Sequence, residues 1–114
     1  MKVVVVAATG ALNYRLLDNK INELIETSEC YLFYILCGFV TGRKSEEESL
    51  GETWAKKNGA PIVYIYAESK EKLIDKLLKE ADYVIFILEE DNKEIKNIFM
   101  KYKMLGKHGS VIRR

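Results

Sequence analysis

The stretch KVVVVAATG, residues 2–10, holds four consecutive valines before a turn with one glycine. A continuous β-branched run predicts a strand that is covered on both faces, as in a parallel sheet. Over residues 12–27, apolar side chains recur at spacings of one, three and four, which predicts a helix with one stripe against that sheet. The chain therefore opens with a buried central strand and the helix that follows it.

The rest of the chain repeats this alternation. Strands are predicted over residues 31–37, from Pro61 onward, over 82–88 and in a short final SVIR segment, with helices over 45–58, 70–80 and 91–105. Strands joined by helix-length connections have to be parallel, with right-handed crossovers. The sequence therefore predicts an α/β fold, a three-layer Rossmann-like sandwich with a five-stranded parallel sheet and four helices, as a single domain over residues 1–114.

The composition limits the possible partners. The chain has 114 residues, 48% of them hydrophobic and 31% charged, which suits one globular core. Its net charge of +1 gives no bulk attraction to nucleic acid or to acidic membranes. The longest apolar runs are shorter than the roughly 18 residues of a membrane helix, and the first residues lack a signal-peptide pattern. We therefore expect a cytoplasmic protein that binds neither membranes nor nucleic acid.

The cysteines and the histidine do not form a metal-binding pattern. Cys30 and Cys37 are seven residues apart, at the two ends of one predicted strand, so their side chains point to opposite faces and a disulfide between them is implausible. The single histidine, His108, has no paired ligand spacing around it. We therefore expect reduced thiols, no metal and no cofactor.

The first loop beyond a strand end is a candidate phosphate site. In parallel α/β sheets, ligands lie beyond the carboxyl ends of the strands, where the strand order reverses. Thr9 and Gly10 let backbone N–H groups at the helix start face an anion. Asn13 is either a ligand residue or a helix cap, and Tyr14 either stacks on a base or covers the edge of the core. The loop is neither a G-x-G-x-x-G motif nor a P-loop.

The second loop combines glycines with positive charge. Gly38 follows the predicted second strand, and Gly42 precedes the positive pair Arg43 and Lys44. Glycine lets a ligand approach the backbone closely, and the two cations suit a phosphate group. We therefore predict that this loop contacts a phosphate, with Phe39 against the base or the ribose.

An acidic stretch opens the second predicted helix. Ser45 is a favourable N-cap and Glu48 falls at the third helical position, which together predict a capping box. Glu48 is therefore either part of the cap or a ligand residue. Trp54 lies four residues after Leu50 on the same helix, and this spacing predicts a tryptophan in the core.

A polar run follows the fourth predicted strand. It consists of Glu89, Glu90, Asp91 and Asn92. A carboxylate at this position either binds ribose hydroxyls or serves as an acid or base, and the alternative is an acidic first turn of the last helix. We retain Glu89 and Asn92 as candidate ligand residues.

The middle of the chain shows a family resemblance. Residues 35–67 read ILCGFVTGRKSEEESLGETWAKKNGAPIVYIYA, with a glycine after the strand, the pattern LxxxWAxxxGxP and a final alanine. This segment resembles the SLOG superfamily of Rossmann-like nucleotide-binding domains, especially its small stand-alone bacterial and phage members. The matching positions are Gly38, Leu50, Trp54, Ala55, Gly59, Pro61 and Ala67, with Glu48 where the family has an aspartate.

The resemblance implies binding of a nucleotide-derived small molecule, such as a nucleotide, an ADP-ribose-like species or a signalling nucleotide. The family's first loop usually carries an arginine, where this chain has Ala8, Thr9 and Gly10. Because several polar loop residues of the family are absent, we expect sensing or sequestration without catalysis. A role in bacterial or phage conflict is implied by the resemblance alone.

Two alternative functions stay open. One is an N-glycosidase or phosphoribosyl hydrolase related to nucleoside deoxyribosyltransferases, which would use Glu48, Glu89 or Glu90. The other is a protein-binding module whose ligand site has degenerated. We also expect a homodimer, formed through Phe99, Tyr102 and Met104 of the last helix.

Overall fold

The computed structural model describes residues 1–27, 33–41 and 48–114. Strands and helices alternate strictly along these residues. In chain order they are β1 (Lys2–Val6), α1 (Ala11–Thr27), β2 (Tyr34–Val40), α2 (Leu50–Asn58), β3 (Ile62–Ala67), α3 (Lys70–Glu80), β4 (Tyr83–Leu88), α4 (Lys93–Leu105) and β5 (Gly109–Arg113). Among the described residues, the predicted α/β fold with five parallel strands and four helices is confirmed.

The valine run forms the centre of the sheet. The strand order is β3-β2-β1-β4-β5, and every neighbouring pair is parallel. Val4 of β1 lies opposite Leu36 of β2 and Val84 of β4. Val3 and Val4 point to opposite faces and both are buried, because helices cover both sides of β1.

Each face of the sheet carries its own apolar cluster. On one face, Leu17 of α1 and Trp54 of α2 pack with Val3. On the opposite face, Leu78 of α3 and Ile95 of α4 pack with the other residues of β1 and β4. The molecule therefore has the predicted three layers, and the prediction that Trp54 lies in the core is confirmed.

The predicted end of β2 is wrong by three residues. The strand continues through Gly38 to Val40, because its ladder with β3 extends until Val40 lies opposite Ala67. Gly38 therefore lies inside the strand rather than after it. This glycine allows close packing, since a Cβ atom there would be 2.8 Å from the Leu73 side chain of α3.

The predicted start of α2 is also wrong. The helix begins at Leu50, and its N-cap is Ser49, whose hydroxyl accepts a hydrogen bond from the Glu52 N–H at 3.3 Å. Glu48 precedes the helix and so does not occupy its third position. Ser45, the predicted cap, lies outside the described residues.

The last helix, α4, does not expose the face that was predicted to form a dimer. Phe99 and Tyr102 face the sheet, where their rings lie 5.2 and 5.0 Å from the Phe86 ring. Of the three residues predicted to form a dimer face, only Met104 points outward, with 87% of its surface exposed. Within the described ranges, no helix has both the length and the apolar character needed to span a membrane.

Candidate functional site

The strand order places a switch point between β1 and β4. From β1 the chain continues to β2 on one side, whereas from β4 it continues to β5 on the other side. The loops that leave these two central strands therefore diverge at the carboxyl edge of the sheet. Ligands of open α/β sheets bind in the crevice formed there. Residues 7–10 follow β1, and residues 89–92 follow β4.

A polar network connects the two sides of this switch point. The Asn13 side-chain nitrogen donates to the Ala8 carbonyl oxygen and to Glu89 Oε1, both at 2.9 Å. Arg114 Nη1 donates to Asn13 Oδ1 at 2.8 Å and to Glu89 Oε1 at 2.7 Å. The three side chains thus form a closed triangle of hydrogen bonds that fixes the loop after β1 to the loop after β4.

Asn13 and Glu89, both predicted ligand residues, are therefore hydrogen-bonded to each other and to Arg114. Asn13 is only 1% exposed and lies in the first turn of α1, because that helix begins at Ala11. Asn13 therefore does not cap the helix, which was one of its two predicted roles. Sequence reasoning missed Arg114, although a residue directly after the last parallel strand must lie at the carboxyl edge. Its backbone N–H donates to the Leu88 carbonyl oxygen at 2.9 Å.

The amino end of α1 lies beside this network. Gly10 precedes the helix with φ +145°, a conformation that favours glycine, and a Cβ atom there would meet nothing within 4 Å. The first turn of α1 has no acidic residue. The hydroxyl or amide side chains of Ser49, Ser69 and Asn92 cap the other three described helices. Thr9 and Gly10 therefore stand at an open helix start, as the sequence predicts.

A pocket of about 290 Å³ opens next to Ala8 on the other face of the sheet. It lies between α3 and α4, with β1 as its floor. Its walls are almost entirely aliphatic, and Asn92 and Glu94 provide the polar groups. The lining residues are Val4, Val5, Val6, Ala7, Ala8, Ile74, Leu77, Leu78, Asn92, Glu94, Ile95 and Ile98.

Two ion pairs join the helices on either side of the pocket. Lys70 of α3 pairs with Glu94 of α4, and Asp75 pairs with Lys101 at 3.3 Å. Asn92 caps α4 by accepting the Ile95 N–H at 3.1 Å through its side-chain oxygen. Among the described groups, its amide nitrogen has no acceptor, so it is available to a ligand at the pocket entrance.

The candidate ligand residues of β2, Gly38 and Phe39, lie away from this pocket. Gly38 packs against α3 inside β2, as described above, and so is not at a loop. The Phe39 ring lies 5.3 Å from the Tyr64 ring and 5.8 Å from the Tyr66 ring, over the outer part of the sheet. Neither residue lines the pocket between α3 and α4. The pocket at the carboxyl edge is thus lined by Ala7 and Ala8 after β1 and by Asn92 after β4, and by none of residues 38–41.

The loop after β2 was predicted to supply a glycine and two cations to the ligand site. Gly42, Arg43 and Lys44 lie outside the described residues. Glu48, just after them, forms an ion pair with Lys56 at 3.0 Å. The hydrogen bond from Lys56 lowers the pKa of the Glu48 carboxyl, so this group stays ionised at neutral pH.

Tyr14 belongs to the contact between α1 and α2. Its hydroxyl accepts a hydrogen bond from Asn58 Nδ2 at 3.2 Å, and Lys57 Nζ lies 4.6 Å from the centre of its ring. The ring also packs against the core cluster on that face. Of the two alternatives for Tyr14, the structure therefore favours covering the core edge.

The buried thiol is not a candidate nucleophile. Cys37 is free and buried, and burial raises the pKa of its thiol to about 11. Its partner in the predicted opposite-face pair, Cys30, lies outside the described residues. In residues 1–27, 33–41 and 48–114, no group of three or more histidine, cysteine, aspartate or glutamate side chains is placed to hold a metal.

No protein-family model and no curated protein matches this sequence.

Proposed function

We propose that this protein binds a nucleotide-derived small molecule at the switch point of its sheet. The base would enter the pocket between α3 and α4, and the phosphate would meet the amino end of α1. The observation that carries the proposal is the short distance along the chain between these two features. The pocket wall ends at Ala8, two residues before the open helix start at Gly10.

The pocket suits a flat heterocycle. Its volume of about 290 Å³ is at the lower end of the range for small-molecule sites, roughly 300–1,000 Å³. Ile74, Leu77 and Ile98 provide apolar walls for the faces of a ring. Asn92 and Glu94 at the rim provide hydrogen-bonding groups for the edge of that ring. Apolar walls with a few polar groups are typical of sites that bind a base.

The start of α1 suits an anion. The first N–H groups of a helix have no partner within the helix, and the helix dipole favours negative charge there. Gly10 has open space beside it, and Thr9 adds a hydroxyl group. The Arg114 guanidinium, about one-third exposed, adds positive charge at the same edge, although Glu89 offsets part of it.

Membership of the SLOG superfamily, and a sensing or sequestering role in bacterial or phage conflict, are part of this proposal. A small binding domain that holds its ligand without turnover would fit either role. Mass spectrometry of ligands that copurify with the protein would identify a sequestered molecule directly. Light scattering would test the predicted homodimer, for which Met100, Met104 and Leu105 form an exposed strip on α4.

Thermal shift with a nucleotide panel tests the proposal. ATP, ADP, NAD⁺ and ADP-ribose serve as probes, and a ligand at 100 times its Kd stabilises the fold by about 2.7 kcal/mol. Ile98→Trp would fill the pocket, whereas Ile25→Trp makes the same change on the exposed side of α1. We expect at least one probe to stabilise the wild type and Ile25→Trp but not Ile98→Trp. An equal shift in both variants, or no shift with any probe, would contradict the proposal.

One observation favours a second candidate, a glutamate-dependent N-glycosidase. Glu89 is held at the switch point by Asn13 and Arg114, which is a fixed position of the kind that a catalytic carboxylate needs. This candidate predicts release of free base from one of the panel nucleotides, and loss of that release in Glu89→Gln. Binding without base release by the wild type would support the first proposal instead.

A further inference from the structure

The outer edge of β3 has no strand beside it. Among the described residues, β3 pairs only with β2, and its sequence IVYIYA has no charged residue. Proteins usually protect an exposed edge with charged side chains, proline or bulges, because an open edge pairs with other chains. At the opposite edge, β5 is shorter and ends in Arg113. Judged by its own sequence, β3 is thus the less protected of the two edge strands.

The ladder shows which backbone groups point outward. The Ile35 N–H donates to the Pro61 carbonyl oxygen at 3.0 Å, and the Thr41 N–H donates to the Ala67 carbonyl oxygen at 2.9 Å. Odd-numbered residues of β3 therefore face β2. Because the ladder alternates, the backbone groups of residues 62, 64 and 66 face away from the sheet.

Exposed apolar side chains lie beside these outward backbone groups on both faces of the sheet. Tyr64 and Tyr66 are 40% and 56% exposed and form an aromatic strip with Phe39 on the face that carries α2, in which the Phe39 ring stacks on Tyr66 and is tilted against Tyr64. Ile65 packs on the face that carries α3, so Val63, two residues earlier in the strand and 40% exposed, points to the same face. A strand added at this edge would therefore bury apolar surface on both sides.

Lys76 indicates the charge that a partner peptide should carry. Lys76 of α3 extends over the edge, and its ammonium donates to the Tyr66 carbonyl oxygen at 3.1 Å. This contact independently places that carbonyl on the outer side of β3. Lys76 has no carboxylate partner among the described residues, whereas neighbouring Lys72 pairs with Glu68 at 3.2 Å. The edge therefore has an unneutralised positive charge on its α3 face.

The exposed area argues against a second copy as the occupant. Complete burial of Val63, Tyr64 and Tyr66 would remove only about 300 Å² per copy, at roughly 150–250 Å² for a whole aromatic side chain. A stable protein interface needs roughly 800 Å² from each partner. A single extended peptide obtains its affinity from main-chain hydrogen bonds along the edge and so needs less area.

We infer that the outer edge of β3 binds an extended peptide segment of another protein as a sixth strand. Alternate side chains of that peptide would be apolar and lie against Tyr64 and Tyr66. The side chains between them would be acidic and reach Lys76. This surface is separate from the pocket between α3 and α4, and binding there does not depend on the proposed nucleotide.

A labelled decapeptide of alternating valine and glutamate tests this inference by fluorescence polarisation at neutral pH. Tyr64→Pro removes the outward N–H without removing a hydrogen bond to β2, and Tyr64→Ala loses the same side chain but keeps that N–H. We expect saturable binding to the wild type, and binding to Tyr64→Pro at least about tenfold weaker than to Tyr64→Ala. With Lys76→Gln, the preference for this peptide over an alternating valine–lysine peptide should disappear.

A second measurement does not depend on a folded variant. Two versions of the valine–glutamate peptide carry N-methyl groups on the valines or on the glutamates. Only one set of N–H groups can face β3, so we expect one version to lose binding and the other to retain it. Equal binding by both versions, or no binding of the unmodified peptide, would overturn the inference. Concentration-dependent dimers that Tyr64→Pro abolishes would also overturn it, because a second copy would then occupy the edge.

Discussion

Arg114 Nη1 lies 2.7 Å from Glu89 Oε1, so the residue after β5 is bonded to the loop after β4. Asn13 completes the triangle from the first turn of α1. The loops on both sides of the switch point are therefore held together by one buried amide and one ion pair. This arrangement gives the candidate site a fixed edge before any ligand binds.

Removing the amide should destabilise the fold. Asn13→Ala leaves the Ala8 carbonyl oxygen without its side-chain donor and removes one partner from both Glu89 and Arg114. We expect a loss of about 1–3 kcal/mol in the free energy of unfolding, measured by urea denaturation. Asn97→Ala, on the exposed side of α4, is the matched control and should change stability little. Equal effects of the two substitutions would contradict the structural role of Asn13.

Gly38 should respond as a packing residue. In Gly38→Ala, the new methyl group would lie 2.8 Å from the Leu73 side chain, which costs about 1–3 kcal/mol of stability. Leu73→Ala alone removes buried contacts and costs about 2–5 kcal/mol, but it also makes room for that methyl group. We therefore expect the double variant to be more stable than the sum of the single effects predicts. Strict additivity in urea denaturation would show that the two residues do not meet.

Gly10 should matter for ligand binding beyond its effect on stability. Gly10→Ala introduces a side chain at φ +145°, and Gly106→Ala introduces one at φ +66°, far along the chain at the end of α4. Both should lower the melting temperature, because L-residues rarely adopt these conformations. Only Gly10→Ala should weaken nucleotide binding, by about tenfold or more, in calorimetric titration with ADP-ribose. Unchanged affinity in Gly10→Ala would exclude the start of α1 as the phosphate site.

The buried thiol predicts a pH dependence of stability. Burial raises the pKa of Cys37 from 9.0 to about 11, so the unfolded chain loses this proton more readily than the folded chain. Stability should therefore fall as the pH rises from 9 toward 11, and the fall should be smaller in Cys37→Ala. Thermal denaturation across this range gives both slopes, and comparing them removes the contributions of tyrosines and lysines. Identical slopes would show that Cys37 does not titrate in this way.

The order of elements could be predicted from local patterns, because a buried parallel strand needs a run such as residues 2–8 and each helix needs its own apolar stripe. The end of β2 could not be predicted in this way, because a glycine after an apolar run usually indicates the end of a strand. Gly38 lies inside the ladder instead, and only the close approach of the Leu73 side chain explains a glycine there. The start of α2 was missed because Ser45 and Ser49 both stand three residues before a glutamate.

The candidate site was harder to predict than the fold. Asn13 and Arg114 are 101 positions apart, and they meet only because β5 lies beside β4 in a parallel sheet. The pocket depends on the separation of α3 and α4, which no residue pattern encodes. Its aliphatic lining is indistinguishable in sequence from an ordinary core stripe.

Amide chemical shifts measured by NMR during an ADP-ribose titration test the central claim most directly. The account predicts saturable changes at the backbone N–H groups of Gly10 and Ala11, where the phosphate would bind, and at Asn92 and Ile95 beside the pocket. Changes confined to residues away from the switch point, or no saturable changes with ADP-ribose or the other panel nucleotides, would contradict it.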